Sequence, residues 1–231
     1  MTNRQIQYWV IPPTADAEFV AHMEEVLDTY AQPYNPDCPV ICMDEQPIQL
    51  QKETRTPLPA TASHGKRIDY EYERAGVASI FMFAEPLASW REVSVRERRT
   101  KVDWAIEMAR LLEGRYANCP RVILICDNLN THTKGAFYQA FEPERARQLV
   151  RRIEFRHTPK HGSWLNIAEN ELSSLTRQCI SHRRFGDIET LRLETAHFFP
   201  ESIDRPLSPK ARKNPKHWLG RGQVLSCAPP N

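Results

Sequence analysis

Three carboxylates sit where metal-assisted chemistry would need them. Asp44 closes the apolar run Pro39-Val-Ile-Cys-Met, and Asp127 closes Arg121-Val-Ile-Leu-Ile-Cys. A strand entering a core has no local reason to end in an acid, because a buried unpaired charge costs several kcal/mol unless a cation or hydrogen bonds compensate. Taken singly, either aspartate reads as the cap of the following turn. Taken together, they stand at the carboxyl ends of strands, where open α/β sheets place their ligands. The third acid is Glu169, in Thr158-Pro-Lys-His-Gly-Ser-Trp-Leu-Asn-Ile-Ala-Glu169, a Pro/Gly loop that leads into a helix. Leu165, Ala168, Leu172 and Leu175 share the apolar face of that helix. Glu169 lies beside this face, whereas Glu171 is turned from it by about 200° at ~100° per residue. Helical geometry therefore favours Glu169 and puts Glu171 on the solvent side.

Three carboxylates from two strands and a helix make a hard oxygen site suited to Mg²⁺, with Mn²⁺ as a substitute. Two such ions about 3.5–4 Å apart activate a water or 3′-hydroxyl and stabilise the leaving oxygen in an in-line displacement. No side-chain nucleophile is required. His157 and His161 have the spacing of paired zinc ligands, but Pro159 between them argues against the helix such a pair needs. His161-Gly-Ser163 lacks the surroundings of a nucleophile elbow and suits a loop or phosphate contact better. Trp164 reads as a core anchor, and Cys42 and Cys126 as small apolar fillers of their strands.

The elements that must carry these residues follow from periodicity. Phe19, Val20, Met23, Val26, Leu27 and Tyr30 recur at helical spacing, which predicts a helix over about 14–30, ended by Pro33 and Pro36. A buried strand over 39–44 follows, then a Pro- and Thr-rich loop over 52–66. Strands are expected at about 68–74, 77–84 and 90–95. A helix over about 100–113 shows Val102, Ala105, Ile106, Ala109 and Leu112 along one face. Further on come a strand at 121–127, helices near 134–141 and 143–151, a strand at 153–157 and a helix at about 165–179. The order predicts an α/β domain around one mixed sheet. Residues 1–36 read as a helix and linker leading into a core at 37–196, and residues 197–231 as a proline-rich, basic, irregular tail.

At 231 residues the chain has room for one sizeable core. No apolar run approaches the ~18–20 residues that span a bilayer. The opening MTNRQIQYWVIPP has no charged and apolar regions of a secretory signal, so a cytoplasmic setting is expected, and no membrane role. The six cysteines form no C-x-x-C pair and read as reduced and structural. A net charge of +2 says little about nucleic acid by itself. Its distribution says more, because Arg151–Arg184 holds seven Lys or Arg against three acids. Lys160, His161, Arg177, Arg183 and Arg184 flank Glu169 and are the candidates to line a DNA path.

Several segments together resemble the DDE endonuclease domain of bacterial insertion-sequence transposases related to mariner. They are Cys42-Met-Asp-Glu-Gln-Pro-Ile-Gln-Leu50, Arg55-Thr-Pro-Leu-Pro59, Asp69-Tyr-Glu-Tyr-Glu-Arg74, Phe81-Met-Phe-Ala-Glu-Pro-Leu87, Cys126-Asp-Asn-Leu-Asn-Thr-His132 and Thr158 through Glu169. The likeness covers roughly residues 8–195, and the Asp-Asn-x-x-x-His and Ser-Trp-Leu-Asn-x-x-Glu motifs in this order are its specific part. It implies an RNase H-like fold, two Mg²⁺ ions on Asp44, Asp127 and Glu169, and cleavage at inverted-repeat ends followed by strand transfer, typically into a TA dinucleotide. Asp44 would bridge both metals, with Asp127 and Glu169 each completing one site. Glu45, Asn128, His132 and Asn166 would orient the carboxylates, metal-bound waters or a phosphate.

The partners implied are double-stranded DNA, as transposon ends and target, and a second transposase copy in a homodimer or a full-length partner. The setting implied is bacterial, on the nucleoid when DNA is bound. Such transposases carry an upstream helix-turn-helix region, whereas this chain opens close to the start of the catalytic half. Beyond about residue 195 the likeness gives way to the proline-rich run, so a truncated copy with an altered C-terminus is the expectation. A nuclease without strand transfer and an inactive remnant that only binds DNA or a partner are the alternatives.

Overall fold

The computed structural model describes residues 17–181 and 183–198. The expected tail after Phe198, the first residues of the expected N-terminal helix and Cys227 lie outside them. Five strands form one mixed sheet in the order β3-β2-β1-β4-β5. The strands are β1 (Val40–Glu53), β2 (Tyr72–Glu85), β3 (Trp90–Arg96), β4 (Val122–Cys126) and β5 (Ile153–His157). β1, β2 and β3 pair antiparallel. β4 runs parallel to β1, and β5 parallel to β4. The helices are α1 (Ala17–Ala31), α2 (Lys101–Glu113), α3 (Lys134–Ala140), α4 (Pro143–Arg151), α5 (Ile167–Leu175) and α6 (Ile188–Phe198).

Alternation along the strands builds a core on each side of the sheet. Ile41 and Met43 of β1 join Val122, Leu124 and Cys126 of β4 against Trp104, Met108, Leu112 and Phe137 of α2 and α3. Cys42 and Ile48 of β1 join Ile123 and Ile125 of β4 against Val26 and Tyr30 of α1, Ala168 and Leu172 of α5, and Leu191 of α6. The expected α/β domain with one mixed sheet is what forms.

Several boundaries differ from the sequence reading, each for a physical reason. β1 does not stop at Asp44; it runs for fourteen residues in all, passing through Pro47 to Glu53. The stretch 68–71 is not a strand. Its alternation is right, but Pro57 and Pro59 on the returning side supply no N–H to a ladder, and only the single bridge Leu58↔Arg67 forms there. The expected strands 68–74 and 77–84 merge into β2 across a bulge. Leu50 faces both Ala75 and Gly76 there, and Gly76 adopts φ 104°, a backbone that L side chains rarely take.

The buried face of α2 keeps Ala105, Ala109 and Leu112 of the expected stripe but is broader and centred further round. Trp104, Met108 and Leu111 are buried and Val102 is exposed. Glu107 falls on the buried face as well, where Ser94 and the guanidinium groups of Arg96 and Arg110 hold it. A Thr100–Asp103 capping box starts that helix. α5 is shorter than expected: a 3₁₀ turn at Ser163–Leu165 precedes it, and a π turn at Thr176–Ile180 follows. The five cysteines among the described residues are all free.

Candidate active site

Strand register places the first two acids side by side. The parallel pairing of β1 with β4 ends at Cys42↔Ile125, so Asp44 and Asp127 each stand two residues beyond the last pair, on the face that Cys42 and Ile125 share. Asp44 is therefore not a strand-end residue but sits where β4 has ended and β1 runs on. α5 packs on this face through Ala168 and Leu172, and it brings Glu169 in its first turn. Burial pushes the Asp44 carboxyl up to about 6; the Glu45 backbone N–H opposes this, and the charges of Asp127, Glu169 and Glu45 add to it. The charges of Asp127 and Glu169 thus both reach the Asp44 carboxyl.

The turn before α5 explains the orientation of Glu169. A glutamate at the third position of a helix commonly folds back onto the N-cap amide. Here the Asn166 N–H already serves the Ser163 carbonyl at 2.8 Å, which leaves the Glu169 carboxylate to the cleft. Asn166 caps the helix, its Oδ1 accepting from the Ala168 N–H at 3.1 Å, and its Nδ2 donates to the Met43 carbonyl at 2.8 Å. From α1, the Tyr30 hydroxyl donates to the Leu165 carbonyl at 2.9 Å and lies 3.2 Å from Cys42 Sγ. At the far end of α5, Thr176 Oγ1 donates to Gln46 Oε1 at 2.9 Å.

Glu45 points to the opposite face of the sheet from Asp44. Its Oε1 is 3.1 Å from His132 Nε2, with both side chains almost fully buried. His132 Nδ1 is 2.7 Å from Asp127 Oδ1, and the indole of Trp104 lies against the imidazole at 5.4 Å. Burial opposes charge on His132, but Asp127, Cys126 and Glu45 overcome it and hold the ring protonated well above the usual histidine range. One imidazolium thus joins acids on the two faces of the sheet.

The acids remain short of partners. Glu45 Oε2, Asp127 Oδ1 and Glu169 Oε2 are buried and have no hydrogen bond, the 2.7 Å contact of Asp127 Oδ1 being a charge contact only. Desolvated carboxylate oxygens in this state favour a cation. Among the described residues, no group of three or more His, Cys, Asp or Glu side chains stands ready-made to hold a metal ion. Mg²⁺ does not need one, since it usually keeps several waters and takes one or two carboxylates plus substrate phosphate. The donor set fits a hard divalent ion of that kind.

The other expected residues divide into groups. Asn166 is buried in the framework just described, whereas Asn128 is exposed. Lys160, His161 and Arg177 are exposed, His161 with φ 65°. Arg183 pairs with Glu194 of α6 at 2.7 Å. Arg184 is held by Glu53 at 2.7 Å and by the carbonyls of Tyr70 and Glu71. Glu171 is not simply solvated, because it pairs with Arg91 of β3 at 2.9 Å. Trp164 packs partly buried against the α5-side core, in the anchoring place expected. Tyr30 and Trp104 escaped the sequence reading, since both look like ordinary members of apolar helix faces.

A family model described as DDE superfamily endonuclease matches residues 39–192. The chain belongs to that family. Among solved structures, this DDE endonuclease chain is similar to the Mos1 mariner paired end complex with Mn, with TM-score 0.59 and 15% identity, covering 94% of this chain and 65% of that one. It is similar to the Mos1 strand transfer complex at TM-score 0.60 and 14% identity, covering 94% and 64%. The catalytic domain of Mos1 mariner transposase matches at TM-score 0.55 and 14% identity, over 90% of this chain and 94% of that one. At such identities the likeness establishes the shared RNase H-like fold. The endonuclease chain spans about two thirds of the Mos1 chains in the two complexes. A comparison with curated proteins returns no match.

Proposed function

We propose that the chain is the catalytic part of a cut-and-paste DNA transposase, with Asp44, Asp127 and Glu169 holding two Mg²⁺ ions that Mn²⁺ can replace. The observation that carries this reading is the partly buried Asp44 carboxyl, which the charges of Asp127 and Glu169 reach, together with a buried Glu169 oxygen that has no hydrogen bond. Family membership supports it, as do the Mos1 complexes named for Mn, Mg and transposon ends. When bound, the ions would supply an activated water or 3′-hydroxyl and stabilise the departing oxygen.

The rest is the work of the chain's own residues. Asp44, on the rigid β1, faces both other acids. His132 holds Asp127 from behind and keeps Glu45 neutralised on the far side of the sheet. Asn166 ties the helix of Glu169 to the strand of Asp44. The exposed Lys160, His161 and Arg177 would meet phosphates of duplex DNA, and the exposed Asn128, next in sequence to Asp127, would hold a water or phosphate. The substrates would be inverted-repeat ends and a target duplex, handled by two transposase copies, in a bacterial cytoplasm on the nucleoid. Among the described residues no helix is long and apolar enough to cross a membrane.

The test is cleavage of a plasmid carrying the DNA that flanks this reading frame, with Mg²⁺ or Mn²⁺ present or chelated. Metal-dependent nicking that disappears in Asp44→Ala, Asp127→Ala and Glu169→Ala, with joining of the cut end to a second duplex, is the expected result. Nicking without joining would make the protein a nuclease. No nicking with either metal would leave a DNA-binding remnant.

A further inference from the structure

We infer that Tyr30 is a positioning residue for the Glu169 carboxylate, acting through the turn that opens α5. The inference rests on the metal-site reading above. Tyr30 belongs to α1, ahead of the segment 39–192 that the family model matches. It is 7% exposed, and its ring lies in the core on the α5 side of the sheet.

The partners of its hydroxyl are the parts of the chain whose separation sets the width of the cleft. The oxygen donates to the Leu165 carbonyl at 2.9 Å, accepts from the Ile167 N–H at 3.4 Å, and lies 3.2 Å from Cys42 Sγ. Cys42 stands two residues before Asp44 on the same face of β1. Leu165 and Ile167 flank Asn166, whose carbonyl receives the Glu169 N–H at 3.1 Å. The link from Asn166 to the Met43 carbonyl is the second crossing between the same two elements. One hydrogen bond would leave the turn free to pivot about it; two crossings fix both its distance and its angle. Few side-chain groups can donate to a carbonyl and accept from an amide at one atom, and a hydroxyl is one of them. The Ile167 amide is also one of the first-turn donors with no partner inside the helix.

The experiment measures binding of Mn²⁺ alone, without DNA, to the 231-residue chain by calorimetry and by the electron paramagnetic resonance of the bound ion. Four chains are compared: unaltered, Tyr30→Phe, Glu169→Gln and the double variant. Tyr30→Phe keeps the buried ring and should weaken Mn²⁺ binding roughly tenfold, as loss of a group supporting a ligand does. In the Glu169→Gln background the same change should weaken it no further, because the carboxylate through which Tyr30 acts is gone.

A loss that recurs in full in the double variant marks general loosening and overturns the inference. So does unaltered Mn²⁺ affinity in Tyr30→Phe while Glu169→Gln is weakened, a result that leaves the metal site standing. A Tyr30→Phe chain that does not fold also overturns it, since the hydroxyl then serves the fold as a whole. Unchanged affinity in Glu169→Gln overturns the metal-site reading, and Tyr30 with it.

Discussion

His132 Nδ1 stands 2.7 Å from Asp127 Oδ1. The other nitrogen of the ring meets Glu45 on the far side of the sheet, so a single residue neutralises charge in two separate places. Removing one member of a buried pair strands the other, at a cost of about 3–5 kcal/mol. His132→Ala should therefore lose stability of that order in urea unfolding. Pairing it with Glu45→Gln should restore part of the loss. A single variant that unfolds at the same urea concentration as the unaltered chain would show that the pair contributes nothing.

The crowding of acids around Asp44 gives a second expectation, about the metal-free chain. Asp44→Asn relieves both burial of a charge and repulsion from Asp127 and Glu169, so in chelator it should melt at a higher temperature than the unaltered chain. Added Mg²⁺ should raise the melting temperature of the unaltered chain, because a ligand that binds only the folded state stabilises it. The asparagine variant should respond little. Equal responses of the two chains to Mg²⁺ would place the ion elsewhere.

Glu171 offers a contrast on the same helix. Its bond to Arg91 involves an arginine side chain that is 47% exposed, and such pairs contribute about 0–1 kcal/mol. Glu171→Gln should keep most of the metal-dependent cleavage and nearly all of the stability, while Glu169→Gln abolishes cleavage. Equal damage from the two changes would reverse the assignment of the third acid.

For duplex DNA, the exposed cations should separate from the paired ones. Lys160→Gln and Arg177→Gln should each reduce the slope of log K against log salt by about 0.9 per lost phosphate contact. Arg183→Gln should change it less, since Glu194 already occupies that guanidinium. Arg184→Gln should instead loosen the segment between β1 and β2, which limited proteolysis would detect as new cleavage between residues 54 and 71.

The start of α2 makes one contribution to the dependence of stability on pH. Partial burial works against ionisation of Asp103, but the Thr100 hydroxyl and N–H and the Arg96 guanidinium overcome it and hold the carboxyl below its ordinary 3.8. A carboxyl lowered by folding stabilises the fold above its unfolded value, and that contribution fades as pH falls through the folded one. Thr100→Ala should cost about 1 kcal/mol at neutral pH. Asp103→Asn should be destabilising at pH 7 and should converge with the unaltered chain in acid. A gap between the two that does not narrow as the pH falls below 3.8 would exclude this origin.

The parts of this fold legible in the sequence are those set by local pattern. The short apolar runs before Asp44 and Asp127 mark the two central strands, and the Pro/Gly loop before Glu169 marks the start of its helix. Helical rotation sets Glu169 beside the apolar face, but it puts Glu171 in solvent, where the structure instead pairs it with Arg91. Partnership between distant segments was not legible. Nothing around Pro47 says that β1 runs on to Glu53, because that depends on β2 lying alongside it. The bulge at Gly76 depends on the same pairing. Glu107 looks like a surface acid until Arg96 and Arg110 are brought to it. Tyr30 looks like one more apolar residue, because the partners of its hydroxyl lie at Cys42 and at Leu165, far along the chain.

The register by which β1 meets β4 makes the neighbouring acids Asp44 and Glu45 a sensitive pair. Strand side chains alternate, so a one-residue slip turns every one of them to the other face. Loss of a single residue between Val40 and Met43, with the pairing kept, would carry Glu45 into the cleft and leave a non-acidic Gln46 against His132. Such a lesion would therefore shift the cleft acid outward by one methylene and leave the imidazolium with Asp127 but without the acid behind the sheet, so that a one-residue deletion would tell on folding as well as on chemistry.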